Sequence, residues 1–470
     1  MVFSSVTFLF IFLPVTAALY FLPSVFLCHE TGIKWKNLVL LAASLFFYAW
    51  GEPLYVFLML ISITFNYFIG LDLKKHSGNQ PHKRFLLVFA LVFNLGSLAF
   101  FKYSGFIAEN LSAVFPAASA FDAPALPIGI SFYTFQTLSY VIDVYNGKCS
   151  TQTKFTDFAL YVSMFPQLIA GPIVQYNTVE AQLTSRRETL EGAADGIRFF
   201  VIGLAKKVIL ANTAGAIYNE VLAGAGEKPD ALSAWLAIIL YTFQIYYDFS
   251  GYSDMAIGLG RIFGFSFPEN FRYPYVANSV TDFWRRWHIS LSSWFRDYLY
   301  IPLGGNRSSI PRNVFNLLFV WFMTGLWHGA SWNFVLWGMY YGVLLLLERY
   351  VFAKLIERVP QFIRQAVVFL FVVIGWVFFS NASTAQAFQM LAAMFGANGA
   401  YNPTAMYYLT GNLAVICTMA VFVTPLFRIK SMPQKKLHRF VLLAVTVVLF
   451  FASTVCLISD TYNPFLYFRF

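Results

Sequence analysis

The stretch VFNLLFVWFMTGLWHGASWNFVLWGMYYGVLLLL, from Val314 to Leu347, contains one imidazole, His328, and no charged side chain. It is long enough to cross a bilayer, for which about 20 consecutive apolar residues suffice. A titratable ring at that depth is costly and ordinarily faces a cavity or a partner. Two readings of His328 follow. It is a base for proton chemistry inside the membrane, or a neutral ring hydrogen-bonded within a bundle to Thr324, Ser331 or Asn333. Gly325, Gly329 and Ala330 beside it either open space for a reactant or let helices approach closely.

Similar segments fill the chain, at roughly 6–28, 37–50, 54–71, 85–101, 126–145, 155–170, 195–213, 233–260, 314–346, 362–380, 403–424 and 440–459. Hydrophobic residues make up 59% and charged residues 11%, against about 25% charged in a soluble globular domain. The runs do not alternate every second residue, which a transmembrane barrel requires. The expected fold is an all-α polytopic membrane protein. A single membrane domain, 1–470, is expected, with N-terminal helices in 1–101, a core in 126–347, and C-terminal helices with an aromatic tail in 362–470.

The net charge of +10 does not call for nucleic acid, because the basic residues gather in short loops where they set topology. Loops 29–36, 72–84 and 425–439 read as cytoplasmic, and both chain ends then face outward. Region 261–313 holds seven arginines and should also face the cytoplasm. Strict alternation cannot put it there without a re-entrant or half-spanning segment. Broken backbone at membrane depth is tolerated only in protein or beside a cavity, so the mismatch points to a central cavity. The four scattered cysteines form no CxxC and suggest neither zinc nor disulfides. The N-terminus lacks a positive region and a cleavage site, and reads as a retained helix.

The densest polar stretch runs from Asp282 to Arg307. As one helix it would carry an amphipathic stripe of Trp284, Trp287, His288, Leu291, Phe295 and Tyr298, with Arg285, Arg286 and Arg296 on other faces. It reads either as an interfacial helix with basic lipid-facing arms or as a vestibule gripping an anionic donor through arginine forks. Trp287 would line that vestibule. No acid or cysteine stands four residues from His288 or His328, so neither suggests a metal site. His29, His76, His82 and His438 lie in or beside basic loops and read as solvated. Asp248 and Asp254 fall in an apolar stretch among hydroxyls; they read as structural braces or as groups orienting a catalytic residue, and Asn333 is grouped with them. The closing residues, Phe465 to Phe470, are mostly aromatic and favour docking on protein or on the membrane interface.

Several strings together resemble the membrane-bound O-acyltransferases: the opening Met-Val-Phe-Ser-Ser, Leu126–Gln136, Phe165–Pro172, Tyr247–Asp254, Asp282–His288 and Trp327-His328-Gly329. Within that family the chain is similar to the alginate O-acetyltransferase-like bacterial polysaccharide acetylation branch. The resemblance implies about 11–12 transmembrane helices, with re-entrant and amphipathic helices around a central tunnel, in the bacterial inner membrane. It implies His328 as catalytic base and His288 as a second functional histidine. The donor would be an acetyl-CoA or acyl carrier protein thioester, with no bound cofactor and no metal. The expected partners are an extracytoplasmic SGNH/AlgX/AlgJ-like acetyltransferase, an acyl carrier protein and membrane lipids, with no nucleic acid. The final residues resemble an aromatic motif in a small partner of D-alanine-exporting relatives, which makes Tyr467 an acyl relay. D-alanyl transfer to teichoic acid (DltB-like) is the alternative within this chemistry. A polysaccharide or lipid-precursor transporter, or a structural scaffold, are the alternatives outside it.

Overall fold

The computed structural model describes residues 1–169, 171–356, 358–427, 436–459 and 465–466. Among these it is helical without strands. Tyr467 and the loop residues Arg428, Lys430 and Lys435 lie outside the described residues.

The helices are, in order, α1 (Leu13–Phe21), α2 (His29–Gly51), α3 (Tyr55–Lys75), α4 (Gln80–Ser112), α5 (Ile130–Asn146), α6 (Phe155–Ser163), α7 (Phe165–Leu168), α8 (Tyr176–Ser185), α9 (Leu190–Ala205), α10 (Asn212–Ala225), α11 (Ala231–Ile262), α12 (Val280–Trp284), α13 (Ile289–Phe295), α14 (Ile310–His328), α15 (Trp332–Tyr350), α16 (Ala353–Ile356), α17 (Gln361–Ser380), α18 (Thr384–Met394), α19 (Pro403–Gly411), α20 (Leu413–Phe422) and α21 (Lys436–Ser459). A π-helical turn, Lys206–Ala211, joins α9 to α10, and another, Arg296–Tyr300, follows α13.

The chain forms two compact units, Met1–Val201 with Tyr252–Pro268, and Ile202–Gly251 with Glu269–Phe470. In the first, polar side chains tie helices together where lipid offers no hydrophobic drive. Asn66 on α3 and Asn94 on α4 exchange amide hydrogen bonds at 3.0 and 2.8 Å, and the Thr137 hydroxyl of α5 donates to Asn94 at 3.2 Å. Buried Arg186 donates to Asn37 Oδ1, the Tyr20 hydroxyl and the Phe263 carbonyl, and stacks on Phe265. A groove of about 620 Å³ runs between the N-terminal segment and α2, lined by residues such as Ile11, Val15, Leu38 and Phe46. Its apolar walls suit acyl chains of lipid and offer nothing for acid–base chemistry.

In the second unit, α14 and α15 form a tight hairpin. A Cβ on Gly325 would lie 2.3 Å from the Phe334 carbonyl oxygen, and one on Gly338 would lie 2.3 Å from that of Trp321. The two backbones touch, which only glycine permits. Trp284, Trp321, Trp337 and Tyr341 pack edge to face around this seam.

Among the described residues, six helical stretches are long and apolar enough to span a membrane: Phe8–Phe26, Tyr55–Lys75, Gln80–Ser112, Leu190–Ala225, Gln361–Ser380 and Leu437–Ser459. Counting the pair α19 and α20, bent by 59°, as one span makes seven. This is fewer than the eleven or twelve expected. Several apolar stretches are broken or short. Stretch 155–170 splits at Met164 into α6 and α7, α5 has 17 residues, and 314–346 is two helices.

Candidate active site

That last split changes the place of His328. It is not mid-helix; it is the final residue of α14. Gly329 leaves the helix with extended backbone, and Ser331 caps α15 by accepting from the Asn333 N–H. The imidazole therefore sits at the tip of a hairpin, where side chains from other elements can reach it.

Its surroundings are aromatic. The rings of Trp327, Trp337 and Phe379 lie at 5.0, 4.8 and 5.3 Å, each nearly perpendicular to the imidazole, which is 4% exposed. The room left by small residues is taken by protein: a Cβ on Gly329 would strike the Phe334 ring at 2.3 Å. Two polar neighbours expected as partners bond elsewhere. Thr324 donates back to the Val320 carbonyl, and the Asn333 amide donates to the Asn381 carbonyl at 2.6 Å.

His288 lies in the same unit. It is bridged to His328 by Trp327, whose ring is 6.0 Å from His288 and 5.0 Å from His328. The single helix expected across 282–300 does not form. The chain turns between α12 and α13, and His288 occupies the left-handed region at φ 44°. For a non-glycine residue this conformation costs energy and persists only when surroundings impose it. Asn270 does so. Its carbonyl accepts from the Ile289 N–H at 3.0 Å, and its Oδ1 takes Ser290 N–H at 3.1 Å, Ser290 Oγ at 2.9 Å and stands 3.2 Å from His288 Nδ1. On the other side, Glu348 of α15 accepts from the Val280 and Thr281 N–H groups and fixes the start of α12. The Phe249 ring stands perpendicular to His288 at 4.7 Å. Burial pushes the His288 imidazole down to about 3, so it is neutral at physiological pH.

Asn270 and Glu348 were not foreseen. Each acts across 18 or more residues from a loop or another helix, and no local pattern announces it.

The basic residues are divided. Arg285 is exposed at the turn after α12. Arg286 pairs with Asp282 at 2.8 Å, and Arg296 with Asp297 at 2.7 Å. Trp287, expected to line a donor vestibule, is instead a core residue, 2% exposed and packed against Phe271 and Trp376. The indole is apolar enough to fill the space between helices, and the stripe containing it faces inward.

Asp248 and Asp254 both lie on α11, in different units. Asp248 is buried, 2.6 Å from Lys207 Nζ, and accepts the Leu466 N–H at 2.7 Å.

Among the described residues one cluster has metal-ligand composition: Asp72, His76 and His82, at the turn between α3 and α4. The Asp72 carboxylate already joins both rings, at 2.7 Å from His76 Nδ1 and 3.2 Å from His82 Nε2. Lys74, Lys75, Lys83 and Arg84 flank it in sequence and disfavour a divalent cation.

The model of MBOAT, the membrane-bound O-acyltransferase family, matches residues 149–394, which include His288 and His328. The chain belongs to the membrane-bound O-acyltransferase family. It is 38% identical over its full length, and the relative's, to the probable alginate O-acetylase AlgI of Pseudomonas putida. It is 42% identical to the protein of that name from Pseudomonas aeruginosa, over 84% of this chain and 75% of the relative. The peptidoglycan O-acetyltransferase of Helicobacter pylori is 36% identical over 85% of this chain and 80% of its own length. The teichoic acid D-alanyltransferase of Bacillus subtilis is 28% identical over only 46% of the chain and 58% of its own length. The chain is thus an O-acyltransferase and a multi-pass bacterial membrane protein.

Proposed function

We propose that this acyltransferase takes an acetyl group from a cytosolic thioester, coenzyme A or a carrier protein, and passes it across the membrane for O-acetylation of an extracytoplasmic polysaccharide. His328 is the general base. It accepts the proton of an attacking hydroxyl as the oxygen bonds to the thioester carbonyl carbon; the C–S bond breaks, and the proton returns to the departing thiolate. Positioned proton transfer of this kind is worth about 10²–10⁴ in rate. Neutral His288, its Nδ1–H directed at Asn270 Oδ1, orients the thioester. Tyr467 is the first acceptor, and an extracytoplasmic SGNH/AlgX/AlgJ-like partner completes transfer to the polymer. Arg285, Arg286 and Arg296 receive the donor's anionic groups. Arg286 and Arg296 would exchange a carboxylate for phosphate, and the exchange costs less at Arg296, whose guanidinium lies largely in solvent, since exposed pairs contribute only about 0–1 kcal/mol.

The observation that carries this reading is the pair of buried histidines bridged by one indole within a single unit. Acetyl rather than D-alanyl transfer is favoured because the acetylating relatives align over most of the chain. The test is transfer of labelled acetyl from thioester to surface glycan in membranes. His328→Ala should abolish it while leaving the protein expressed and inserted. Normal transfer by that variant would refute the base assignment, and thioester turnover in neither protein would favour a transporter.

A further inference from the structure

The Lys207–Asp248 pair is the least expected pair of charges in the second unit. The two side chains are 5% and 1% exposed and meet at 2.6 Å. A buried ion pair is poor value for stability, because desolvation consumes much of the attraction and apolar residues of similar size do as well. Something else accounts for a carboxylate at this depth. Its second oxygen accepts the backbone N–H of Leu466 at 2.7 Å. Phe465 and Leu466 are themselves buried, and the Phe465 ring lies 5.6 Å from Phe249. The Phe249 ring also meets His288, at 4.7 Å. The local backbone is built for this. A Cβ on Gly251 would fall 2.7 Å from the Gly203 carbonyl and 3.1 Å from the Lys207 N, so α11 lies directly on the π-helical turn carrying Lys207.

We propose that Lys207, Asp248 and Phe249 form a slot for an aromatic peptide, occupied here by Phe465–Leu466 of the same chain, and that this anchoring is required for acyl transfer to Tyr467. This rests on the reading of Tyr467 as acceptor. Asp248 reads a backbone N–H, Phe249 reads the aromatic side chain before it, and Lys207 holds the carboxylate in place. Asp248 touches the carrier segment and Lys207 acts through Asp248, so both are positioning residues.

Removing one charge alone would strand the other, so the test uses two double variants that leave no orphan charge. Lys207→Met with Asp248→Asn keeps an acceptor oxygen. Lys207→Met with Asp248→Leu keeps the bulk and removes the acceptor. Both are made in a protein whose four native cysteines are replaced by serine and which carries Leu466→Cys, a change that preserves the backbone N–H. The rate at which N-ethylmaleimide alkylates this introduced thiol in membranes is measured alongside labelled acetyl transfer to glycan. A hydrogen bond to a carboxylate predicts at least about tenfold faster alkylation in the Leu double variant, with the Asn double variant close to the parent. Acetyl transfer should fall as the introduced thiol becomes exposed and be retained in the Asn variant, a rescue that general destabilisation would not give. Equal alkylation of the two double variants would overturn the slot. Faster alkylation with undiminished transfer would overturn its role in positioning the acceptor. Failure of the His328 assignment is separate: it would appear as transfer by His328→Ala while the alkylation contrast persists.

Discussion

Two helical hairpins carry histidines at their turns, and they are built in opposite ways. In α14–α15 the helices touch backbone to backbone through Gly325 and Gly338, and His328 is enclosed by three aromatic rings. In α3–α4 the turn is open. A Cβ on Gly78 would meet nothing within 4 Å, and half-exposed His76 and His82 share the carboxylate of Asp72. Enclosure by rings keeps water from competing for the first imidazole, whereas the second pair stands in solvent and is already spent on a carboxylate. The first environment suits an imidazole that must accept a proton from a bound reactant; the second suits a surface contact. The largest test of this difference is direct. His328→Ala should lower acyl transfer by about 10²–10⁴, while His76→Ala with His82→Ala should leave it within twofold or so, as surface substitutions do. Labelled acetyl incorporation into membranes measures both, and comparable losses from the two hairpins would erase the distinction.

The glycine seam gives the next largest effect. Gly325→Ala places a methyl 2.3 Å from the Phe334 carbonyl, so the helices must separate, and Gly78→Ala meets no obstacle. Overpacking of this kind costs about 1–3 kcal/mol. Thermal inactivation in detergent should show that loss for Gly325→Ala and almost none for Gly78→Ala. Activity of Gly325→Ala should fall further than its stability, since the seam also sets where His328 stands.

Much of this contrast was legible in the sequence, and the part that was not has a consistent cause. The low charge and long apolar runs pointed to the helical membrane class, and the strings around His288 and His328 pointed to the family. The run from Val314 to Leu347 concealed its own turn, because Gly329-Ala-Ser331 carries no charge and no proline to mark a break; only the Ser331 cap ahead of Asn333 signals a new helix. The stripe from Trp284 to Tyr298 had helical spacing, yet the chain breaks at His288. Asn270, 18 residues upstream, captures the N–H groups of Ile289 and Ser290. Periodicity reports local preference and is silent about a distant acceptor. The same holds for Asp248, legible as a buried brace but not as an acceptor for Leu466, 218 residues away.

The buried pair makes a further prediction through pH. The His288 ring is held down to about 3 by burial, while an unfolded chain would protonate it near 6.5. Below about 6.5 the unfolded state binds a proton that the folded state refuses, so this group's contribution favours folding above that pH and is lost progressively as pH falls toward 3. At pH 5 or so the loss is about 2 kcal/mol, at about 1.4 kcal/mol per unit. His288→Gln should flatten the decline in inactivation temperature between about pH 7 and pH 5, whatever it does to stability at neutral pH. An unchanged slope would mean that His288 is wetter than its rings suggest.

The smallest effect belongs to the open turn. The Asp72–His82 contact is 3.2 Å long between groups more than a third exposed, and water can replace either partner. Exposed pairs are worth about 0–1 kcal/mol and are screened by salt. His82→Ala should therefore shift the inactivation temperature slightly at low ionic strength and not at all in about 0.5 M salt. The flanking lysines bear on the same point. If Zn²⁺ raised the inactivation temperature of the parent and not of His82→Ala, the three side chains would be acting as ligands despite the nearby cations. The α3–α4 turn would then be a site and no longer the featureless partner of the buried hairpin. A salt-sensitive, zinc-insensitive response keeps the two turns distinct: one encloses His328, the proposed base, and the other ties two helix ends together at the surface.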